Sequence, residues 1–293
     1  MTDIILRGTL GHDQIRFFIA STTHTVERAR QIHQTSPVVS AALGRLLTAA
    51  AIMGSMLKNP SDIVTLSIKG DGPAGGLLAT SDSLSRVKGY PFQSLVDLPL
   101  KPNRKLDVSG ALGQGTLTVI KDIGLKEPYV GQVPLVSGEI GEDLTHYFAV
   151  SEQTPSAVAL GVLVDRDYTI RQAGGFLLQT LPGADEEEVT RLEQVLAGLP
   201  SVTVLMDQGN SPEEIAALLA GGSDYEISDS VPVEYHCNCD RERVEKALIS
   251  LGRQELKTIL AEDGRAVLHC HFCNSDYAFE RPDLERVLAE AKA

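Results

Sequence analysis

The sequence predicts an α+β fold with a mixed-sheet core domain, a helical linker and a small C-terminal domain. Short β-rich runs punctuated by glycine and proline occupy the first 180 residues, without the long βαβ alternation of a doubly wound sheet. An acidic, amphipathic segment follows, and the last sixty residues contain all four cysteines of the 293-residue chain. We therefore predict a core domain over residues 1–180, a linker over 181–232 and a C-terminal domain over 233–293.

The core domain is predicted to begin with a β-hairpin and a long apolar helix. Apolar residues 4–6 and 15–19 flank the turn sequence Gly11-His12-Asp13. Ser36 and Pro37 then suit the N-cap and first position of a helix that runs to about residue 57. Its polar residues favour a buried helix of a soluble protein over a membrane span. Further strands are expected at residues 64–69, 76–79, 117–121 and 148–150.

The negative charge is concentrated in the middle of the chain. The net charge is −13, yet residues 181–232 contain one basic residue, Arg191, against eleven acidic ones. Such a segment repels a phosphate backbone, so we expect no nucleic-acid partner. The first ten residues lack the basic-then-apolar pattern of a secretory signal. We expect a cytoplasmic protein that does not associate with membranes.

The acidic linker is predicted to form two short amphipathic helices. Asp185 with Glu188, and Ser211 with Glu214, each match a capping residue followed three positions later by a carboxylate. Gly221 and the glycine after it supply a stop signal. One apolar stripe runs along these helices, and we expect it to pack on a neighbouring domain in the resting protein. The stripe consists of Val189, Leu192, Val195, Leu196, Leu199, Ile215, Leu218 and Leu219.

The C-terminal domain has too few residues for a self-sufficient hydrophobic core. Asp240 can cap a helix that ends near Leu251, and a second helix at 255–261 and a strand at 266–270 are expected. About sixty residues of this kind usually need a covalent or metal crosslink. The cysteines are the evident candidates for that crosslink.

The four cysteines form two close pairs, Cys237-Asn238-Cys239 and Cys270-His271-Phe272-Cys273. Two such pairs supply the four thiolates of a closed tetrahedral Zn²⁺ site, and cytosolic thiols favour metal binding over permanent disulfides. We predict one Zn²⁺ per chain in the reduced form, with Cys237, Cys239, Cys270 and Cys273 as its ligands.

Spacing alone leaves several kinds of zinc site open. A purely structural site is the default for paired cysteines, whereas a catalytic site would recruit His236, His269 or His271 as a ligand and keep one position open. We interpret these histidines as neighbours, because four thiolates already fill the shell. A redox-sensitive site is also compatible, since a C-x-C disulfide closes a strained ring and oxidised sulfurs no longer bind metal.

Longer motifs carry a resemblance to a known family. The segments GQGTLTV (113–119), PLVSGEI (134–140) and SEQTPS (151–156), together with the acidic linker and the C-x-C and C-x-x-C pairs, resemble the redox-regulated heat-shock chaperones called 33 kDa chaperonins. The resemblance extends over the whole chain, and the four cysteine positions match the family pattern.

The resemblance implies an ATP-independent holdase that prevents aggregation of unfolding and oxidatively damaged proteins. It implies a zinc-bound, inactive reduced form, and an oxidised form with Cys237–Cys239 and Cys270–Cys273 disulfides and no zinc. It further implies a homodimer, unfolded client proteins as partners, and no catalytic residues or enzymatic activity. We hypothesise that the C-terminal domain acts as a removable cover, and that the apolar stripe joins the client-binding surface after oxidation.

Other functions remain open at this stage. The main alternative is a protein whose purely structural zinc domain serves as an interaction or regulatory adaptor. A zinc-stabilised enzyme is a further possibility, although no nucleophile–base motif supports it.

Overall fold

A computed structural model describes residues 2–290, so the outermost residues of the predicted core and C-terminal domains lie outside the described part. The chain divides into two compact units between His236 and Cys237. The α+β fold class is confirmed.

The first unit contains β1 (Ile4–Leu10), β2 (Ile15–Ser21), α1 (Thr23–His33), α2 (Pro37–Ser55), β3 (Ile63–Gly70), β4 (Gly76–Asp82), β5 (Arg86–Pro91), α3 (Val108–Leu112), β6 (Gly115–Asp122), β7 (Tyr129–Pro134), α4 (Gly141–Val150), β8 (Ser156–Val164), β9 (Ile170–Thr180), α5 (Glu186–Gly198), α6 (Val202–Asp207), α7 (Pro212–Ala220), β10 (Tyr225–Pro232) and β11 (Glu234–Tyr235).

The first sheet has the order β10-β1-β2-β9-β8, and each neighbouring pair is antiparallel. The predicted hairpin is confirmed, with Leu10 opposite Ile15. Gly11, His12 and Asp13 all have positive φ angles of 54–64°. Glycine and aspartate tolerate this left-handed conformation better than most residues, so the turn sequence determines where β1 ends.

The second sheet has the order β11-β5-β4-β3-β6-β7, and helix α2 contacts strands of both sheets. Helix α2 is long and apolar enough to cross a membrane, but 94% of its apolar window is buried inside the protein. Its apolar side chains form the centre of the largest hydrophobic cluster. The interpretation of this segment as a core helix agrees with its burial.

The prediction of a strand at residues 148–150 is wrong, because these residues form the end of helix α4. The buried side chains of Leu144, Tyr147 and Phe148 recur at helical spacing. The Asp143 carboxylate accepts backbone N–H groups from Val136 and Ile140 at 2.7 and 2.9 Å, which fixes the start of the helix. A three-residue apolar run is too short to distinguish strand from helix by its pattern.

The linker contains three helices and a strand, whereas the sequence predicted two helices. The Ser211–Glu214 capping box is present, with Glu214 N–H donating to Ser211 Oγ at 3.2 Å and Ser211 N–H to Glu214 Oε2 at 2.7 Å. Asp185 precedes α5 but does not cap it through its side chain. Its carboxylate instead accepts a hydrogen bond from Gln14 Nε2 at 3.2 Å. The strand β10 follows α7 and pairs with β1.

The second unit is a small module with a short hairpin and three helices among its described residues. Asp240 caps the first helix as predicted, because its carboxylate accepts Arg243 N–H at 2.7 Å. Five side chains form the buried core: Leu248, Leu256, Phe279, Leu284 and Val287. The elements are α8 (Arg241–Ser250), α9 (Arg253–Glu262), β12 (Arg265–Cys270), β13 (Ser275–Glu280) and α10 (Arg281–Glu290).

Candidate metal centre

One cysteine pair lies just before a helix, and the other lies at the end of a strand and in the turn that follows it. Cys237 and Cys239 precede α8, whose start is fixed by the Asp240 cap. Cys270 ends strand β12, and Cys273 lies in the turn that leads to β13. Asn274 in that turn has a φ of 56° and donates its N–H to Cys270 O at 2.8 Å. The helix cap and the hairpin turn therefore each position one pair.

The structure brings all four predicted sulfur ligands together. Their Sγ atoms lie within 4.8 Å of one another, and each cysteine is half-buried with a free thiol. The Sγ separations are 3.8 Å for Cys237–Cys270, 3.3 Å for Cys237–Cys239 and 3.1 Å for Cys239–Cys273. A tetrahedral ion with metal–sulfur bonds of about 2.3 Å places its sulfurs about 3.8 Å apart. The cluster thus has the size and the donors to hold a metal ion.

The pKa values of three of the thiols are shifted in different directions. Burial raises the pKa of Cys237, and burial also raises the pKa of Cys239. At Cys273, burial opposes ionisation, but hydrogen bonds with Ser275, Cys239 and the neighbouring Cys270 lower its pKa to about 7. Four thiolates at these distances repel one another, so complete ionisation of the cluster requires a cation at its centre.

A residue that the sequence analysis missed contacts the cluster. The Tyr277 hydroxyl on β13 lies 3.1 Å from Cys239 Sγ and 3.4 Å from the carbonyl oxygen of Cys239. This hydrogen bond to Cys239 raises the pKa of Tyr277. An aromatic residue in the strand after a C-x-x-C pair was the only available signal, and it does not predict a contact with a residue 38 positions away.

The flanking histidines have other partners. The group of candidate ligands found among residues 2–290 consists of the four cysteines. His269 Nδ1 lies 2.7 Å from Asp276 Oδ1, and its ring meets the His271 ring edge-to-face at 5.1 Å. His236 belongs to the first unit, where its N–H donates to Val87 O at 2.9 Å. Their interpretation as neighbours rather than ligands stays a prediction.

The apolar stripe of the linker is largely covered within the first unit. Leu192, Ile215 and Leu219 are buried, whereas Leu218 is 39% exposed. Val189, Val195, Leu196 and Leu199 are half-buried. Helix α7 packs on the first sheet and α5 packs on α7. Five stripe side chains, those of Leu192, Leu196, Leu199, Ile215 and Leu219, share one hydrophobic cluster with residues of that sheet, namely Leu6, Leu10, Ile15, Phe17, Ile19, Phe176 and Leu178. The roles of the stripe in client binding and of the C-terminal domain as its cover stay predictions.

Fold and site together define an α+β protein that carries a four-thiol site in a small C-terminal module. A family model described as Hsp33 protein matches residues 3–280. The chain is 51% identical over 291 residues to the 33 kDa chaperonin of Lachnoclostridium phytofermentans, covering 99% of this chain and all of the relative. It is 49% identical to that of Clostridioides difficile, with the same coverage. The crystal structure of the 33 kDa chaperonin from Thermotoga maritima superposes with a TM-score of 0.91 at 39% identity and covers 99% of both chains. The chain belongs to the Hsp33 chaperone family.

Proposed function

We propose that this protein is a redox-regulated, ATP-independent holdase chaperone that is inactive when reduced and metal-bound. The observation that carries the proposal is the convergence of four free thiols within 4.8 Å in a module with a five-residue buried core. Such a core cannot hold a module of this size strongly, so its folding depends on whatever joins the four sulfurs.

Zinc is the metal we propose for this site. Cys237, Cys239, Cys270 and Cys273 would hold it, because four sulfur donors in a closed shell suit Zn²⁺ and leave no position for a substrate. Bound zinc would supply on the order of 10 kcal/mol of folding free energy and keep the thiols ionised. The same donor set argues against an enzymatic role for the site, in keeping with the chaperonin names of the relatives.

The chaperone would be activated when a peroxide oxidises the thiolates of the four-cysteine site. A thiolate attacks one peroxide oxygen, the O–O bond breaks, and the products are a sulfenic acid and hydroxide. A second thiolate attacks the sulfenic sulfur, forms the S–S bond and releases another hydroxide. The two thiolates thereby lose two electrons in total, and one peroxide molecule gains them. We propose Cys237–Cys239 and Cys270–Cys273 as the disulfides, although the 3.1 Å separation of Cys239 and Cys273 makes peptide mapping of the oxidised chain essential.

Loss of the metal would unfold the module and loosen the linker. Helices α5 and α7 are too short to be stable alone, so they stay folded only while α7 is packed on the first sheet and α5 on α7. Undocking would expose the stripe and the sheet residues beneath it as a surface for unfolding clients. We further propose that the protein acts as a homodimer in the cytoplasm, where reducing conditions keep the resting cysteines reduced.

Aggregation suppression tests this function. The reduced, zinc-loaded protein should fail to suppress light scattering by a heat-denatured enzyme, whereas the same sample after peroxide treatment should suppress it near stoichiometric amounts. Zinc release and loss of four thiols should accompany activation, and a reductant should reverse them. Equal suppression by both forms, or none by either, contradicts the proposal.

A structural adaptor would instead bind a fixed partner in its reduced, zinc-loaded form.

A further inference from the structure

The strand pairing of the C-terminal module directs one hydroxyl group at the sulfur cluster. Residue 277 is the only tyrosine after position 236. It lies opposite Leu268 in the antiparallel β12–β13 pair, two residues before the fully buried Phe279. Residues two apart in a strand share a face, so the Tyr277 ring packs with Phe279 against the module core. The ring is therefore held by packing, and its hydroxyl has a fixed position.

That hydroxyl contacts one of the four sulfurs. The oxygen lies 3.1 Å from Cys239 Sγ. A thiolate cannot donate a hydrogen bond, so in the ionised cluster the phenol is the donor to Cys239 Sγ at 3.1 Å, and the Cys239 carbonyl oxygen, at 3.4 Å, is its longer second acceptor. Hydrogen bonds to a charged acceptor are roughly twice as strong as those between neutral groups. Groups that orient a metal ligand from outside the coordination shell typically change metal affinity by about 10–100-fold.

We propose that Tyr277 is a positioning residue that holds the Cys239 sulfur for the metal and thereby resists metal loss. This inference rests on the proposed zinc site. The hydrogen bond fixes the direction of the Cys239 sulfur, which keeps it in place for the metal. It also withdraws charge from the sulfur, which makes the sulfur less reactive towards a peroxide. Removal of the hydroxyl leaves the ring packing intact but frees the sulfur to rotate.

The test is a zinc-affinity measurement on the full reduced chain, without client or oxidant. Tyr277→Phe keeps the ring and removes the hydroxyl, and Tyr168→Phe, at an exposed tyrosine of the first unit, is the matched control. Competition with a chromophoric chelator should show about 10-fold to 100-fold weaker zinc binding for Tyr277→Phe and no change for the control. Under a fixed peroxide concentration, Tyr277→Phe should also release zinc several-fold faster.

A second readout separates positioning from a general loss of structure. In the cobalt-substituted protein, Tyr277→Phe should shift the sulfur-to-metal charge-transfer bands, because the charge on one sulfur changes. Circular dichroism with saturating zinc should match the unsubstituted chain. Zinc affinity within twofold of the unsubstituted protein overturns the proposal, as does a variant that fails to fold with excess zinc. A wild-type chain that binds no zinc instead overturns the proposed function on which the inference rests.

Discussion

Replacement of Leu219 by alanine should undock the linker without any oxidant. The Leu219 side chain is fully buried in the cluster between α7 and the first sheet. Large-to-small changes at such sites cost about 2–5 kcal/mol, because the neighbouring groups fill the cavity only in part. If this cost falls on the docked state, the undocked population rises by about 30-fold to a few thousand-fold, since each 1.4 kcal/mol is a factor of ten.

Hydrogen exchange measured by mass spectrometry is the appropriate assay. In the reduced, zinc-loaded protein, peptides that span α5 and α7 should exchange faster in Leu219→Ala by the same factor, while peptides from α2 should be unaffected. The adjacent Leu218 provides a matched control, because it is 39% exposed on the same helix. Leu218→Ala makes the same chemical change and should alter stability by less than about 1 kcal/mol.

Two results would contradict this prediction. If α5 and α7 exchange equally slowly in Leu219→Ala and Leu218→Ala, the stripe does not depend on the first sheet for its stability. If exchange accelerates but the reduced Leu219→Ala protein still fails to suppress aggregation, undocking alone does not create the client surface. Partial aggregation suppression by the reduced Leu219→Ala variant is the expected outcome.

Three further predictions test the site and the core. Cys270→Ser removes one sulfur ligand, so chelator competition should show at least about 10-fold weaker zinc binding; unchanged affinity contradicts the four-sulfur site. Glu139→Gln removes the carboxylate that pairs with Lys101 and Arg45, and the free energy of unfolding at pH 7 should fall by about 1–3 kcal/mol in urea denaturation. Burial opposes ionisation of Glu139, but Lys101 and Arg45 hold its pKa below the ordinary 4.5. The stabilisation by the Glu139 carboxylate is therefore fully present above pH 4.5 and is lost as the pH falls through the lowered pKa. At still lower pH the unsubstituted protein and Glu139→Gln should have similar free energies of unfolding. Asp143→Ala leaves four backbone N–H groups without their buried acceptor, so it should cost about 3 kcal/mol or more in the same denaturation assay; a smaller loss would mean that water replaces the carboxylate.

Features that depend on a few neighbouring residues were predictable from the sequence. The turn at Gly11-His12-Asp13, the Ser211–Glu214 capping box and the Asp240 cap all act over four residues or fewer, and all three are present. The four cysteines were equally evident, because their number and spacing match what a tetrahedral metal requires. Their convergence within 4.8 Å agrees with that expectation.

Features that depend on distant partners were not predictable. Strand β10 is mostly exposed and lacks a clear apolar alternation, and it becomes a strand because β1 offers an unpaired edge. The Asp185 carboxylate turns away from its helix because Gln14 lies within reach in the folded chain. In both cases a contact that is remote in sequence decides between local alternatives of similar energy.

The sequence by itself determined the class of fold, the acidic character of the linker and the grouping of the four cysteines into two close pairs, because composition, capping and residue spacing are local properties of the chain. Tertiary structure alone decided that α7 packs its apolar side chains on the first sheet and that Tyr277 reaches the Cys239 sulfur. Both are set by strand register and side-chain packing, which join residues that the chain itself keeps far apart.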